Sequence, residues 1–250
     1  MNGNTYEIWR GPSAIDGAPI VLLASGFGQR SGNGKTGDML QTWILRADME
    51  PTEAVKSGAD ASICGDCPLR GDGTGKDRPC YVTVFRAPLA IWRSWDRGNV
   101  GTMSPEDAAA IIRRDGRAFR LGSYGDPAAV PFEVWAPMAD AAPTRTGYTH
   151  QWRTADRSFR SILMASVDTL ADAKRARRAG WRTFRTRSAD MPLSPEEFVC
   201  PASEEAGRRS TCERCHLCDG RRRADTRRHP VIIAHGPTAT RWGSAVGMEV

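Results

Sequence analysis

The sequence predicts an α/β fold, a barrel-like sheet or partial (βα) barrel closed by a cysteine-rich C-terminal segment that binds a metal or cluster. Three observations point there. From Cys80 onward, short apolar runs alternate with amphipathic stretches, the pattern of strand–helix repeats. Ser161–Val167, Leu170–Ala179 and Trp181–Arg185 form a full strand–helix–strand unit, which implies parallel pairing. Cys200, Cys212, Cys215 and Cys218 crowd into nineteen residues of a chain with seven cysteines. The 250 residues are read as one α/β domain, residues 1–250, with a β-rich N-terminal extension (1–63) and a cysteine/arginine-rich metal-binding segment (200–228).

In chain order, Pro19–Ala24 reads as a strand and Gln41–Arg46 as its partner. Between them, Gly34-Lys35-Thr36 suggests a phosphate loop, but Gln29 stands where that loop needs glycine and no helix pattern follows. A glycine-rich hairpin or loop is expected instead. Cys64-x-x-Cys67 and Cys80 form a second thiol set, one donor short of a closed site. It either keeps an open metal position, borrows a histidine or holds a simply buried cysteine. Tyr81–Phe85 is expected as a strand and Pro88–Trp95 as a helix ended by Gly98. Ser104-Pro105-Glu106-Asp107 carries a hydroxyl cap, a first-turn proline and acids at the positive helix end, and Gly116 stops the helix. Arg117–Gly122 is the next strand, Pro131–Ala139 a helix, Gly147–His150 a short strand, and Val231–Ala234 the last strand. Asp168 is expected to cap the helix beginning at Leu170.

In α/β folds the chemistry gathers at the carboxyl ends of strands. Tyr124 and Asp126, His150, Ser166 and Asp168, Arg185 and Arg187, and His235 all follow predicted strands. Asp126, His150 and His235 are the candidate catalytic groups, for proton transfer or substrate orientation. Each has a plain structural alternative: Asp126 before Pro127 suits a turn, and His150 suits a satisfied structural histidine.

The late cysteines are expected to hold a [4Fe–4S] cluster, three corners from Cys212, Cys215 and Cys218 and one from Cys200 beside Pro201. Zinc is the alternative metal, although its structural sites more often take two separated Cys-x-x-Cys pairs. Clustered thiols imply a reducing compartment and a cytoplasmic protein. No apolar run of membrane-spanning length occurs, so no membrane partner is expected. The net charge of +6 is largely arginine, and eight arginines face three acids between Gly207 and His229. The Arg208–Arg228 stretch would attract nucleic acid through phosphate contacts. A zinc-stabilised nucleic-acid-binding protein without catalysis is therefore the competing function.

Taken together, these landmarks resemble a family of uncharacterised phage and prophage proteins. The likeness rests on Cys64, Cys67 and Cys80-Tyr81, on Cys200-Pro201-Ala202, and on Thr211-Cys212, Cys215 and Leu217-Cys218. Tyr148-Thr149-His150 and Val231-Ile232-Ile233 with His235-Gly236 extend it from Cys64 to Gly236. The Gly71–Pro79 insertion departs from it. Cysteines after an early strand of a barrel-like body are also distantly reminiscent of radical S-adenosylmethionine enzymes. That likeness implies an open three-cysteine cluster with S-adenosylmethionine on its fourth iron. Those enzymes space their cysteines by three and two residues, whereas the gaps here are two and twelve.

Overall fold

A computed structural model of the chain describes residues 3–74, 78–236 and 238–246, and the side chains of all but residues 244 and 245 among them. The elements are β1 (Thr5–Pro12), β2 (Pro19–Ser25), β3 (Leu40–Arg46), α1 (Pro51–Ser57), α2 (Ala61–Cys64), α3 (Ala87–Asp96), β4 (Gly101–Thr102), α4 (Pro105–Asp115) and β5 (Phe119–Tyr124). There follow α5 (Phe132–Ala141), β6 (Arg145–Thr149), β7 (Met164–Val167), α6 (Leu170–Arg178), β8 (Thr183–Arg187), β9 (Glu197–Val199), α7 (Cys212–Cys215), β10 (His229–Ile233) and α8 (Trp242–Ala245).

Ten strands form one sheet in the order β4-β1-β2-β3-β5-β6-β7-β8-β10-β9. The segment from β3 to β9 is parallel throughout, while β1, β2 and β3 form an antiparallel meander at its other end. The protein is thus α/β with a mostly parallel sheet. The N-terminal extension is continuous with it, because β3 pairs with both β2 and β5. The final strands run out of sequence order: β9 lies at the edge, and the chain returns to insert β10 between β8 and β9. The late cysteines occupy that return.

Strand side chains alternate between two faces, and here the two faces do different work. On β5, Phe119 and Leu121 are fully buried in the main core, with Phe119 centred 6.3 Å from Trp135 of α5. Arg120 and Gly122, which alternate with them, face a cavity instead. The helices supply the cover for the first face, and their ends match their sequence signals. Ser104 accepts the Asp107 N–H at 3.1 Å and Gly116 closes α4 in the left-handed region.

Three expectations need correction. Tyr81–Phe85 is not a strand but an irregular turn leading into α3. Its β-branched and aromatic residues find no neighbouring strand: Phe85 is 66% exposed, and Tyr81 stacks on His235 at 5.7 Å. Asp168 does not cap α6. Thr169 does, accepting the Asp172 N–H at 3.0 Å, while Asp168 turns inward. The strand expected over Ser161–Val167 begins only at Met164, because Asp156 caps a 3-10 turn that runs through Ser161.

Candidate functional site

All seven cysteines line a single cavity of about 370 Å³ that lies over one face of the parallel sheet. Its floor comes from alternate residues of five adjacent strands: Tyr124 on β5, Tyr148 on β6, Ser166 on β7, Phe184 on β8 and Ile232 on β10 among them. The two cysteine sets reach it from opposite directions in the chain.

The early set follows β3, the first strand of the parallel run. Proline starts α1, Gly58 ends it in the left-handed region, and the chain turns at once into α2, which ends at Cys64. Arg70 clamps the turn, donating to Asp60 Oδ1 at 2.7 Å, the Gly58 carbonyl at 2.8 Å and the Gly65 carbonyl at 3.1 Å. Gln151, just past β6, ties the same turn to the sheet through the Cys64 carbonyl (3.2 Å) and Asp66 Oδ1 (2.7 Å). Gly65 sits between them with φ 59° and ψ −134°, a conformation open mainly to glycine, and a Cβ there would lie 2.3 Å from the Gln151 carboxamide. Gly65→Ala is therefore expected to destabilise the protein by about 1–3 kcal/mol, read as a lowered urea midpoint. An unchanged midpoint would show that this turn is not held as described.

The late set begins directly after β9, where the Cys200 N–H donates to the Val231 carbonyl at 2.8 Å. Cys212 and Cys215 bracket the single turn of α7, and His216 follows in a left-handed conformation. So short a helix has little stability of its own, and the glycine-rich loop after β2 holds it. Asn33 Oδ1 accepts the Lys35 and Thr36 N–H groups and shapes that loop. The Lys35 and Thr36 carbonyls then accept the N–H groups of Cys212 (2.9 Å) and Glu213 (3.1 Å), and Glu213 Oε2 accepts the Asp38 N–H at 3.0 Å. The loop is not a phosphate cradle but the clasp of the cysteine turn.

Burial raises the pKa of Cys200, Cys212, Cys215 and Cys218, and a negative charge on any of the other three would raise Cys218 further. Tyr148 and Cys218 both line this cavity. Burial likewise raises Cys64 and Cys80, and the charges of their neighbouring thiols add to it. Each set is thus close enough for its sulfurs to influence one another, and all seven thiols are free of disulfides. Among the described residues, no three His, Cys, Asp or Glu side chains converge to metal-holding distance. The thiols are of the donor type that soft metals and clusters take, but among the described residues their sulfurs are not drawn together into a ligand shell.

The three catalytic candidates also line this cavity. Asp126 is fixed by backbone groups: Oδ1 accepts the Ala128 N–H at 3.0 Å and Oδ2 the His150 N–H at 2.8 Å. Burial raises its pKa, against those two bonds. His150 stands beside Cys67, with Nε2 3.4 Å from Asp168 Oδ2 but out of line for a hydrogen bond. Burial disfavours its charged form, yet the Cys67 and Asp168 charges outweigh burial and raise its pKa well above the usual range. His235 places Nδ1 3.0 Å from the Ile233 carbonyl and Nε2 3.1 Å from Lys35 Nζ. The ring therefore donates from Nδ1 and accepts the lysine ammonium at Nε2. Burial, then the lysine charge, lower its pKa.

Asp168 lies outside this cavity, in a smaller one of about 240 Å³ that His150 and Ser166 also line, and its Oδ1 accepts the Trp242 indole N–H at 3.3 Å. Arg185 and Arg187 turn away into ion pairs and carbonyl contacts that fix the chain between β8 and β9. Lys35, Arg120 and Tyr148, which are not among the site residues expected from the sequence, also line the cavity. The available signal for Lys35 was its rarity, one of four lysines beside thirty-one arginines.

The basic stretch spends much of its charge internally. Arg222 and Arg227 pair with Asp219, Arg227 also with Asp225, and Arg208 with Glu204. Arg221 donates to the Gly180 carbonyl and Arg228 to that of Glu197. No helix among the described residues is long and apolar enough to cross a membrane. Comparison with known protein families, with curated proteins and with solved structures finds no match, so the site itself carries the functional argument.

Proposed function

We propose that the protein is an iron–sulfur protein of phage or mobile-element type, and that it is a cluster-dependent enzyme. One observation carries this reading: two cysteine sets, separated by more than a hundred residues, open onto the same cavity. Cys200, Cys212, Cys215 and Cys218 would hold a closed [4Fe–4S] cluster. Cys64, Cys67 and Cys80 would hold a second centre, and His150, beside Cys67 and backed by Asp168, is the histidine available to it.

When bound, such a centre supplies electron transfer or, at an iron lacking a protein ligand, a place for a small cofactor such as S-adenosylmethionine. The sheet and its helices are compatible with a partial barrel around the cavity, and the early cysteines follow the first strand of the parallel run. Both features support the radical-enzyme analogy at fold level only. The chain's own residues have clearer tasks. Tyr124, Tyr148 and Phe184 give the floor its aromatic character, Asp126 fixes the His150 backbone, and His150 and His235 are the groups placed to hold or move protons.

Zinc-stabilised nucleic-acid binding has weaker support, because the arginines of 208–228 are so widely engaged within the fold. Anaerobic purification followed by metal and acid-labile sulfide analysis separates the two. At least about four irons and four sulfides per chain are expected. Zinc without sulfide in a colourless protein would overturn the cluster reading.

A further inference from the structure

Lys35 and Arg120 both face the cavity, near enough that the Arg120 charge disfavours that of Lys35, whereas thiolates at Cys200, Cys212 and Cys218 would favour it. Neither has a carboxylate within ion-pairing distance among the described residues. Lys35 Nζ donates to the His235 ring, and Arg120 Nη2 donates to Tyr81 Oη at 3.2 Å, a neutral partner in each case. The Arg120 Nε–H is buried with no partner at all. The only carboxylate among the described lining residues is Asp126, and both its oxygens already accept backbone N–H groups. Two half-buried like charges with no carboxylate beside them favour an anion in the space they share.

The rest of the wall says what that anion would be attached to. Tyr148 and Phe184 lie 4.7 Å apart across the floor, with Tyr124 on the neighbouring strand. The enclosed volume, about 370 Å³, is that of a small-molecule site.

We infer that the cavity is a binding site for a small organic anion, its phosphate or carboxylate held between Lys35 and Arg120 and its apolar body against the Tyr148–Phe184 floor. This goes beyond the cluster reading and stands on different side chains. His235 and Tyr81 orient the two cations: the imidazole accepts one ammonium N–H and the phenol oxygen one guanidinium N–H, leaving the remaining donors for the ligand.

The test is calorimetric titration of the full chain with phenyl phosphate, with benzoate and with uncharged benzyl alcohol, iron and sulfide being assayed on the same samples. At least one anion should bind at one site per chain, and benzyl alcohol should not. The tighter anion assigns the ligand's head group. Lys35→Met and Arg120→Met should each weaken binding by about tenfold or more, while the charge-keeping Lys35→Arg and Arg120→Lys retain most of it; those two variants guard against misfolding as the cause. Absence of binding at millimolar anion, or Met variants that bind as tightly as the parent, would overturn the inference. So would Met variants that lose iron while keeping anion affinity, since the cations would then serve only the thiols. Metal-free protein that still binds the anion upholds this inference and sinks the cluster reading; cluster-loaded protein that ignores the anions does the reverse.

Discussion

Cys212→Ser is expected to remove the late centre outright. Serine nearly keeps the size of the side chain but replaces a soft sulfur with a hydroxyl that binds iron or zinc poorly at neutral pH. The position is demanding for a second reason. Cys212 starts a single helical turn that, among the described residues, is tethered to the body of the protein by the Lys35 and Thr36 carbonyls and by the Glu213 carboxylate on the Asp38 N–H. A centre bound to four thiolates from 200 to 218 would fasten that turn far more strongly than these hydrogen bonds, since structural metal binding contributes about 10 kcal/mol or more. The variant should therefore lose about four irons and four sulfides per chain and become open to proteolysis between residues 200 and 228. The strands of the sheet should keep their protection. Cys80→Ser, in the other set, should leave the late centre intact. Unchanged iron and sulfide in the Cys212 variant would remove the late cysteines from any ligand role.

Much of the scaffold could be read locally. The run from β5 to β8 carries its alternation of strand and helix in the sequence, and the parallel pairing of β7 with β8 follows from the helix between them. The cysteine groups were also visible. Their shared cavity was not, because nothing local links Cys64 to Cys218; only the order in which five strands lie side by side brings them together. The same limit hid the contact between Lys35 and His235, two hundred positions apart. Tyr81–Phe85 failed for the opposite reason. Its local preference was clear, but a strand needs a neighbour, and the sheet offers it none. Asp168 shows a third kind of miss: two adjacent residues can each cap a helix, and Thr169 took the role because Asp168 faces His150 and Trp242.

Glu197→Gln is expected to destabilise the fold by about 3–5 kcal/mol. Arg185 on β8 and Glu197 on β9 have side chains with 0% exposure, joined by bonds of 2.9 Å from Nε and 2.7 Å from Nη2. They are not strand neighbours; β10 lies between β8 and β9. The pair therefore fastens the edge strand from beneath, and Arg177 adds a second contact to the same carboxylate at 3.1 Å. Removing the negative charge leaves Arg185 buried and unpaired, and that stranded charge is the main cost. A double variant, Arg185→Met with Glu197→Leu, should recover most of the loss, because a buried pair replaced by apolar groups of similar volume is often close to neutral. The pH dependence follows from the same geometry. Burial alone would raise the Glu197 pKa, but the Arg185 bonds and the Ser194 N–H outweigh it and hold the value below the ordinary range. A depressed carboxylate stabilises the fold fully above its unfolded pKa of about 4.3 and loses that contribution as pH falls through the lower folded value. The gap in urea midpoint between the parent and Glu197→Gln should then be constant from neutral pH down to about 5 and shrink below about 4. A gap under about 1 kcal/mol at neutral pH, the scale of an exposed pair, would mean that water reaches these side chains. Because Cys200 follows β9 directly, the variant should also load its late centre less completely, which ties the integrity of that edge to the thiol site it carries.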